Sequence, residues 1–579
     1  MSRTSFRFGD LRVVALGLVF VLAWAGVGYR LFQVQGADAA VLAQRGFDQR
    51  IRHETIEAKR GTIFDRDGVE LALTVYGKAL IADPSLVEDP MEAAALLAPV
   101  LGVDYVELAQ RLDSDARFTY VARGLENDVV QHAAKVIEDA DLVGFSFEEA
   151  PLRIYPSGGL AAPVIGLTRF DDGAGIEGIE SVMDTELAGR PGKRVVERDQ
   201  AGRAIPQAEF LLEAATPGSD VILTLDREIQ NVAEQSLEDA IDKTGALGGT
   251  VVVMDPKTGE ILAMASLPGF NGMDRSTLDP SAIRNRAVSD VYEPGSTLKV
   301  VAVAAALEEG VVRPSTPFET PHEIEVVGET YTDHGSHPSV MTVTEIVAQS
   351  SNVGTIKIQN QLGDETHYRY LDDFGLGRPA SIDFRGEATG RLDHVSQWCG
   401  PACSASAAIG YGIGATALQM AAVYATLAND GEWVEPHVLS EIVAPGGERI
   451  TTEPRRRRVT SAETAQTMRS MLRGVVEVGT GFRADIEEFP VGGKTGTSDK
   501  FDVETGEYSE TETIAWFIGI APIDDPSIVA AVVLDTPTGT LSDDTELKFG
   551  GASAAPVFAE IVEAVLHQLG VSPARQDDA

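Results

Sequence analysis

The chain has 579 residues, 44% of them hydrophobic, with 88 acidic against 47 basic residues and a formal net charge of −41. That length exceeds one ordinary domain, and the apolar content is enough for substantial cores. A negative charge this large, spread along the chain as a solvated acidic surface, excludes general nucleic-acid binding and a basic interaction tail.

In chain order, residues 1–12 read as a short cytoplasmic tail containing Arg3, Arg7 and Arg12. Val13 to Tyr29 carries no charge. At about 1.5 Å per residue, this stretch and its flanks span a hydrocarbon core, which predicts a transmembrane anchor over residues 13–33. The preceding arginines place the N-terminus inside and everything after Arg30 outside, as in a single-pass protein of the cytoplasmic (inner) membrane. The alternative is a cleaved signal peptide with its site at Ala37-Asp-Ala39. Against it, the apolar run exceeds the ~7–15 residues of such signals, and no small-residue site follows directly. Trp24 and Tyr29 fit either an outer interface or an ordinary helix.

Asp38 to Ala58 reads as a polar, largely helical stalk. From Lys59 to Pro217 short apolar runs alternate with Gly and Pro, with amphipathic helices near Pro90–Leu101 and Asn127–Ala140. This region holds no catalytic constellation, nor the acidic pairing and basic face of a glycan polymerase. Residues 38–217 are therefore expected to form a non-catalytic pedestal that sets the distance of an active site from the membrane and contacts partners.

A boundary falls near Ala214-Ala-Thr-Pro-Gly218, opening a domain over 218–571. Val221-Ile-Leu-Thr224 reads as a strand, and Asp226 as the cap of an amphipathic helix with Ile229, Val232, Ala233 and Leu237 on one face. Val251-Val-Val-Met254 and Ile261-Leu-Ala-Met264 read as hairpin arms around the turn Asp255-Pro-Lys-Thr-Gly259. Ile514–Ile518, Ile528–Leu534 and a final helix around Ala554–Leu569 complete a sheet flanked by helices. Residues 572–579 are polar, and disorder is expected there.

The chemistry concentrates in Glu293-Pro-Gly-Ser-Thr-Leu-Lys299. Ser296 and Lys299, at i and i+3, share a helix face. Val300 to Leu307 is apolar all round, which marks a buried helix. Desolvation at the first turn depresses the lysine toward a value at which it accepts a proton, as a serine nucleophile without a histidine requires. A lone S-x-x-K is more often a capping serine beside a lysine. Here Ser350-Ser351-Asn352 and Lys494-Thr495-Gly496-Thr497 follow in chain order, completing the S-x-x-K, S-x-N, K-T-G set of penicillin-binding proteins and class A β-lactamases. Lys243-Thr-Gly245 and Lys257-Thr-Gly259 precede Ser296 and read as structural turns. Only Lys494 has paired glycines before it and strand-like segments behind it.

Cys399 and Cys403 are the only cysteines. In an exported domain such a pair is expected to oxidise, with two free thiols as the alternative because so small a loop is strained. Further metal ligands are missing nearby, so neither a metal nor another cofactor is expected. Arg455–Arg458, beside Pro454, reads as a solvated loop.

On these motifs the chain resembles the class B penicillin-binding proteins, in particular the septal, cell-division transpeptidases. The resemblance extends to Arg60-Gly-Thr-Ile-Phe-Asp-Arg-Asp-Gly68, Gly175–Glu180, Met254–Met264 and Arg284-Asn-Arg-Ala287. Ser-Ser-Asn replaces the Ser-Asp-Asn of lactamases. It implies an α+β multidomain protein: a transmembrane helix, a mixed α/β pedestal or dimerisation domain, and a transpeptidase domain whose antiparallel sheet is flanked by helices, as in serine β-lactamases.

The resemblance further implies Ser296 as nucleophile, Lys299 as its base, and Ser350 and Asn352 as the acid–base network. Lys494 would be the cation beside Ser350. Thr495, Gly496 and Thr497 would be the substrate-binding strand, and the N–H groups of Ser296 and Thr497 the oxyanion hole. Implied partners are peptidoglycan stem peptides, β-lactams, the membrane, a SEDS-family glycan polymerase and other divisome proteins. An elongation transpeptidase, a D,D-carboxypeptidase or β-lactamase, and a membrane β-lactam sensor are the alternatives. A sensor would need a cytoplasmic signalling domain, for which 1–12 is too short.

Overall fold

The computed structural model describes residues 8–170, 172–198, 204–274, 278–380, 383–502 and 506–574. Arg3, Arg7 and residues 575–579 of the expected tail lie outside them. Residues 572–574 are described, and Ala574 N donates to Glu488 O at 2.8 Å.

The chain divides into two compact units. The smaller holds the described residues of Met1–Ala58, Tyr76–Ala150 and Arg190–Thr216. Its first helix, Phe8–Phe32, runs on through a π-helical turn, Gln33–Ala37. Leu11–Ala37 is long and apolar enough to cross a membrane, and none of its apolar window is buried. The stalk is helical only over Ala39–Arg50; Ile51–Ile56 instead forms a strand. The cause is non-local, since Gly192–Arg198 supplies the antiparallel partner for its backbone groups. A small core gathers Leu80, Leu97, Leu108, Leu112 and Val121 beneath the helices Pro90–Leu101 and Tyr105–Leu112. Asp89 and Asp104 cap these helices, and Gly102, at φ +68°, ends the first.

The larger unit holds Lys59–Val75, Pro151–Gly189 and Pro217–Ala579, so two stretches read from sequence as pedestal pack with the C-terminal residues. The two stretches are tied to each other by buried ion pairs, and to the C-terminal residues through Thr62. Arg60 Nε donates to Glu180 Oε2 at 2.6 Å, and Arg153 Nε to Glu180 Oε1 at 2.6 Å. Arg60 Nη1 also reaches Asp184 Oδ1 at 2.6 Å, and Thr62 N donates to Asp220 Oδ1 at 2.7 Å. Glu180 is fully buried, so two guanidinium groups compensate its charge.

The centre of this unit is a five-stranded antiparallel sheet of β1 (Gly248–Met254), β2 (Ile261–Leu267), β3 (Gly492–Asp502), β4 (Glu507–Ala521) and β5 (Ile528–Asp535). Its order is β2-β1-β5-β4-β3, which leaves β3 at an edge. The period-2 alternation of the strands splits them between two cores. Val251, Val253, Phe517, Ala530 and Val532 pack with helices α1 (Arg227–Thr244) and α7 (Ala554–Gln568). Val252, Met254, Trp516, Ile518, Val529 and Ala531 share the other core with α2 (Lys299–Glu308) and α5 (Ala417–Ala428). Asp226 caps α1 as expected; Ile229, Ala233 and Leu237 are buried and Val232 only partly. Helices α3 (Val343–Gln349), α4 (Asn352–Leu362) and α6 (Ala462–Glu477) complete the layer that carries the motifs.

Candidate active site

Ser296 lies in a 3-10 turn, Gly295–Leu298, that runs directly into α2. With three residues per turn, side chains at i and i+3 eclipse, so Ser296 stands over Lys299 more directly than on an α-helix. Gly295 has φ +53°, and a Cβ there would come within 2.8 Å of Thr497 O on β3. Glycine thus permits both the left-handed backbone and the close approach of the edge strand. Tyr424, buried on α5, donates to Thr297 O at 2.8 Å and holds the turn from behind.

Lys299 is 2% exposed. Its Nζ donates to Ser350 O at 2.5 Å and Asn352 Oδ1 at 2.6 Å, and lies 3.4 Å from Ser350 Oγ. Burial pushes this ammonium down to about 7, against an upward pull from the Asp333 carboxylate. Among the described residues the Ser296 hydroxyl has no hydrogen-bond partner; catalytic contacts of this kind commonly tighten only with substrate bound.

The second motif is the joint between α3 and α4. Ser350 caps the end of α3 at φ +59°, a region that costs a non-glycine residue energy, and this turns both its carbonyl and hydroxyl toward Lys299. Ser351 caps α4, accepting from Gly354 N at 2.8 Å. Asn352 Nδ2 donates to Thr332 O at 2.8 Å, which leaves its Oδ1 for Lys299.

Asp333 is the residue the motifs did not reveal. It is 4% exposed. Its Oδ1 accepts from Asn352 N at 2.5 Å and Val353 N at 3.0 Å, and its Oδ2 accepts from Ser351 Oγ at 2.5 Å. His337 Nε2 stands 3.1 Å from Oδ2. No spacing rule ties Thr332-Asp333-His334 to a motif 17 residues downstream, so only folding identifies it.

The third motif forms β3. Lys494 is fully buried, and its Nζ donates to Ser350 Oγ at 2.8 Å and Thr495 O at 3.1 Å. Burial first, and the Lys299 charge second, push this ammonium well below the ordinary lysine value. Two dry ammonium groups around one hydroxyl disfavour each other's charge. The positive charge on Lys494 that the resemblance implies is thus opposed by its burial. Gly496 lets the strand close on the nucleophile turn: a Cβ there would meet Thr297 Cγ2 at 2.8 Å and Pro294 O at 2.9 Å. Thr495 Oγ1 pairs with Thr480 Oγ1 at 2.7 Å. Thr497 Oγ1 accepts from Gly550 N at 3.1 Å, leaving its own proton free to be donated elsewhere.

The structure therefore gathers Ser296, Lys299, Ser350, Asn352, Lys494, Thr495, Gly496 and Thr497 around one locus and leaves the other K-T-G copies out. Lys257 is exposed in its turn, paired with Asp525 at 3.1 Å, while Asp255 Oδ1 accepts from Lys257 N at 2.7 Å. Lys243-Thr244-Gly245 ends α1, with Gly245 as its left-handed cap. Cys399 and Cys403 are disulfide-bonded. Arg456–Arg458 is a strand paired with Glu432–Val434 rather than a loop, and Arg457 stacks 3.6 Å over Trp433. Among the described residues no group of three or more His, Cys, Asp or Glu is arranged to hold a metal ion.

Residues 249–563 match the family model for the penicillin-binding protein transpeptidase domain, and residues 55–223 that for the penicillin-binding protein dimerisation domain. Stage V sporulation protein D of Bacillus subtilis is 34% identical over 99% of this chain and 88% of that protein. Peptidoglycan D,D-transpeptidase FtsI of Escherichia coli is 32% identical over 98% of this chain and 93% of its own length. Among solved structures, penicillin-binding protein 3 of Mycobacterium tuberculosis in complex with aztreonam has a TM-score of 0.71 at 32% identity, covering 90% of this chain and 98% of that one.

Proposed function

The chain belongs to the class B penicillin-binding proteins, and on that premise we propose that it is a serine-type peptidoglycan D,D-transpeptidase acting in cell division. The observation that carries the reading is the Ser350 hydroxyl held between two buried lysines, with β3 closed against the Ser296 turn. The septal role is supported by the Tyr292-Glu-Pro-Gly-Ser-Thr297 stretch and the compact segments between motifs; an elongation enzyme is the second reading.

In this mechanism Ser296 Oγ attacks the carbonyl carbon between the two terminal D-alanines of a stem peptide, and its proton passes to Lys299 Nζ. The N–H groups of Ser296 and Thr497 stabilise the oxyanion; loss of one such donor typically costs about 2.7–4 kcal/mol of barrier. Ser350 relays a proton to the departing D-alanine nitrogen, and the C–N bond breaks to leave an ester on Ser296. Asn352 keeps Lys299 in place. The Thr495 and Thr497 hydroxyls and the Lys494 proton bind the donor carboxylate. An amine of a second stem peptide then attacks the ester, forming the cross-link and returning the proton to Ser296. A β-lactam acylates the same oxygen and stays. The 13–33 segment anchors the chain with its N-terminus inside and the catalytic unit outside, and the pedestal meets a SEDS-family polymerase and other divisome proteins.

The test is a donor–acceptor assay with a peptide ending in D-alanyl-D-alanine and an added amine. Release of D-alanine with formation of the new amide, both lost in Ser296→Ala, is expected. Release as free acid regardless of amine would instead indicate a carboxypeptidase.

A further inference from the structure

We propose that Asp333 is a positioning residue of this site, fixing the Ser350–Asn352 turn against Lys299 and setting, through its charge, how readily that lysine yields its proton. The inference rests on the reading of Lys299 as the base for Ser296.

Its carboxylate gathers the turn from behind. The N–H groups of Asn352 and Val353, two of the unpaired donors at the start of α4, end on Oδ1, and the Ser351 hydroxyl ends on Oδ2. The same Asn352 whose backbone Asp333 holds presents its side-chain oxygen to Lys299 Nζ at 2.6 Å. A negative charge at a helix N-terminus is favourable, so Asp333 is stable there without the lysine. Its low exposure means little water screens it from the ammonium. The charged or titratable groups around Lys299 are then Asp333 from the loop before α3 and Lys494 from β3, while Ser350 and Asn352 of the α3–α4 joint are neutral. His337 faces Asp333 itself. Asp333 is the group that favours charge on Lys299, opposing both its burial and Lys494.

The test is the pH profile of the second-order rate of acylation by a fluorescent penicillin, measured on the full chain in detergent. Replacing a nearby counter-charge by a neutral group shifts a lysine by about one unit or more, so in Asp333→Asn the acid limb should move to lower pH by about that much. Asp333→Glu, which keeps the charge, should retain the parent limb even if its plateau is lower. A purely structural residue would lower the rate at every pH and leave the limb in place. An unmoved limb in Asp333→Asn, or a full-unit shift in Asp333→Glu, overturns the proposal. Should the Asn variant not fold, Asp333→Ser, which also removes the charge, should show the same shift, and an unmoved limb there overturns the proposal. Labelling that survives Ser296→Ala would overturn the reading of the site itself, and Asp333's role with it. Labelling confined to Ser296 with an unmoved limb would count against Asp333 alone.

Discussion

Lys494 Nζ lies 2.8 Å from Ser350 Oγ, within hydrogen-bond distance of the hydroxyl that Lys299 approaches at 3.4 Å from the other side. A hydroxyl can accept from one lysine while its own proton turns toward the other in its neutral amine form, or toward substrate. Ser350 is therefore the exchange point between the motifs of Lys299 and Lys494, which are far apart in sequence.

Ser350→Ala should uncouple the two lysines while leaving the carbonyl that Lys299 contacts. Positioned acid–base groups contribute about 10²–10⁴-fold, so penicillin acylation should fall by at least about 10² with little change in melting temperature. Stopped-flow or gel-based labelling rates check this.

The pH dependence follows from the burial of Lys299. With its ammonium pushed down to about 7, the neutral, proton-accepting form predominates above that value. The acylation rate should fall roughly tenfold per unit below it, as a single proton blocks the base. A lysine at its ordinary value of about 10.4 would place this limb three units higher. A rate profile from pH 5 to 9 separates the two.

Gly496→Ala places a methyl group against Thr297 Cγ2, Pro294 O and, at 3.2 Å, Trp516 Cβ. One of these neighbours is backbone and Trp516 is buried, so relief requires β3 to move away from the nucleophile turn. A cost of roughly 1–3 kcal/mol is expected, together with loss of penicillin labelling. Thermal unfolding and labelling of the same preparation measure both.

Glu180→Gln leaves Arg60 and Arg153 buried without their shared charge. Removing one partner of a buried ion pair costs roughly 3–5 kcal/mol, although neither arginine touches the motifs. Unfolding followed by circular dichroism should show that loss, with labelling at Ser296 retained below the lowered transition.

Much of the site could be read from residues alone. The apolar run after Lys299 announced a buried helix, and the glycines flanking Lys494 separated the working K-T-G from the copies at Lys243 and Lys257. Local chemistry decided those points: turn residues, strand alternation and a cap at Asp226. What escaped depends on chain crossings. Asp333 acts on Asn352 only because a loop folds behind α4, and Ile51–Ile56 is a strand only because residues 192–198 lie beside it. That residues 59–75 and 151–189 pack with the C-terminal residues was not legible, because contacts such as Thr62 to Asp220 join positions distant in sequence. Lys494's identity as a cation was inferred from its motif, whereas its protonation is governed by burial that only the packed strand reveals.

The most direct test is peptide mapping by mass spectrometry after exposure of the full chain to penicillin. A single penicilloyl adduct on the peptide containing Ser296, lost in Ser296→Ala, is the expected result. An adduct on any other residue, or one that persists in Ser296→Ala, would contradict it.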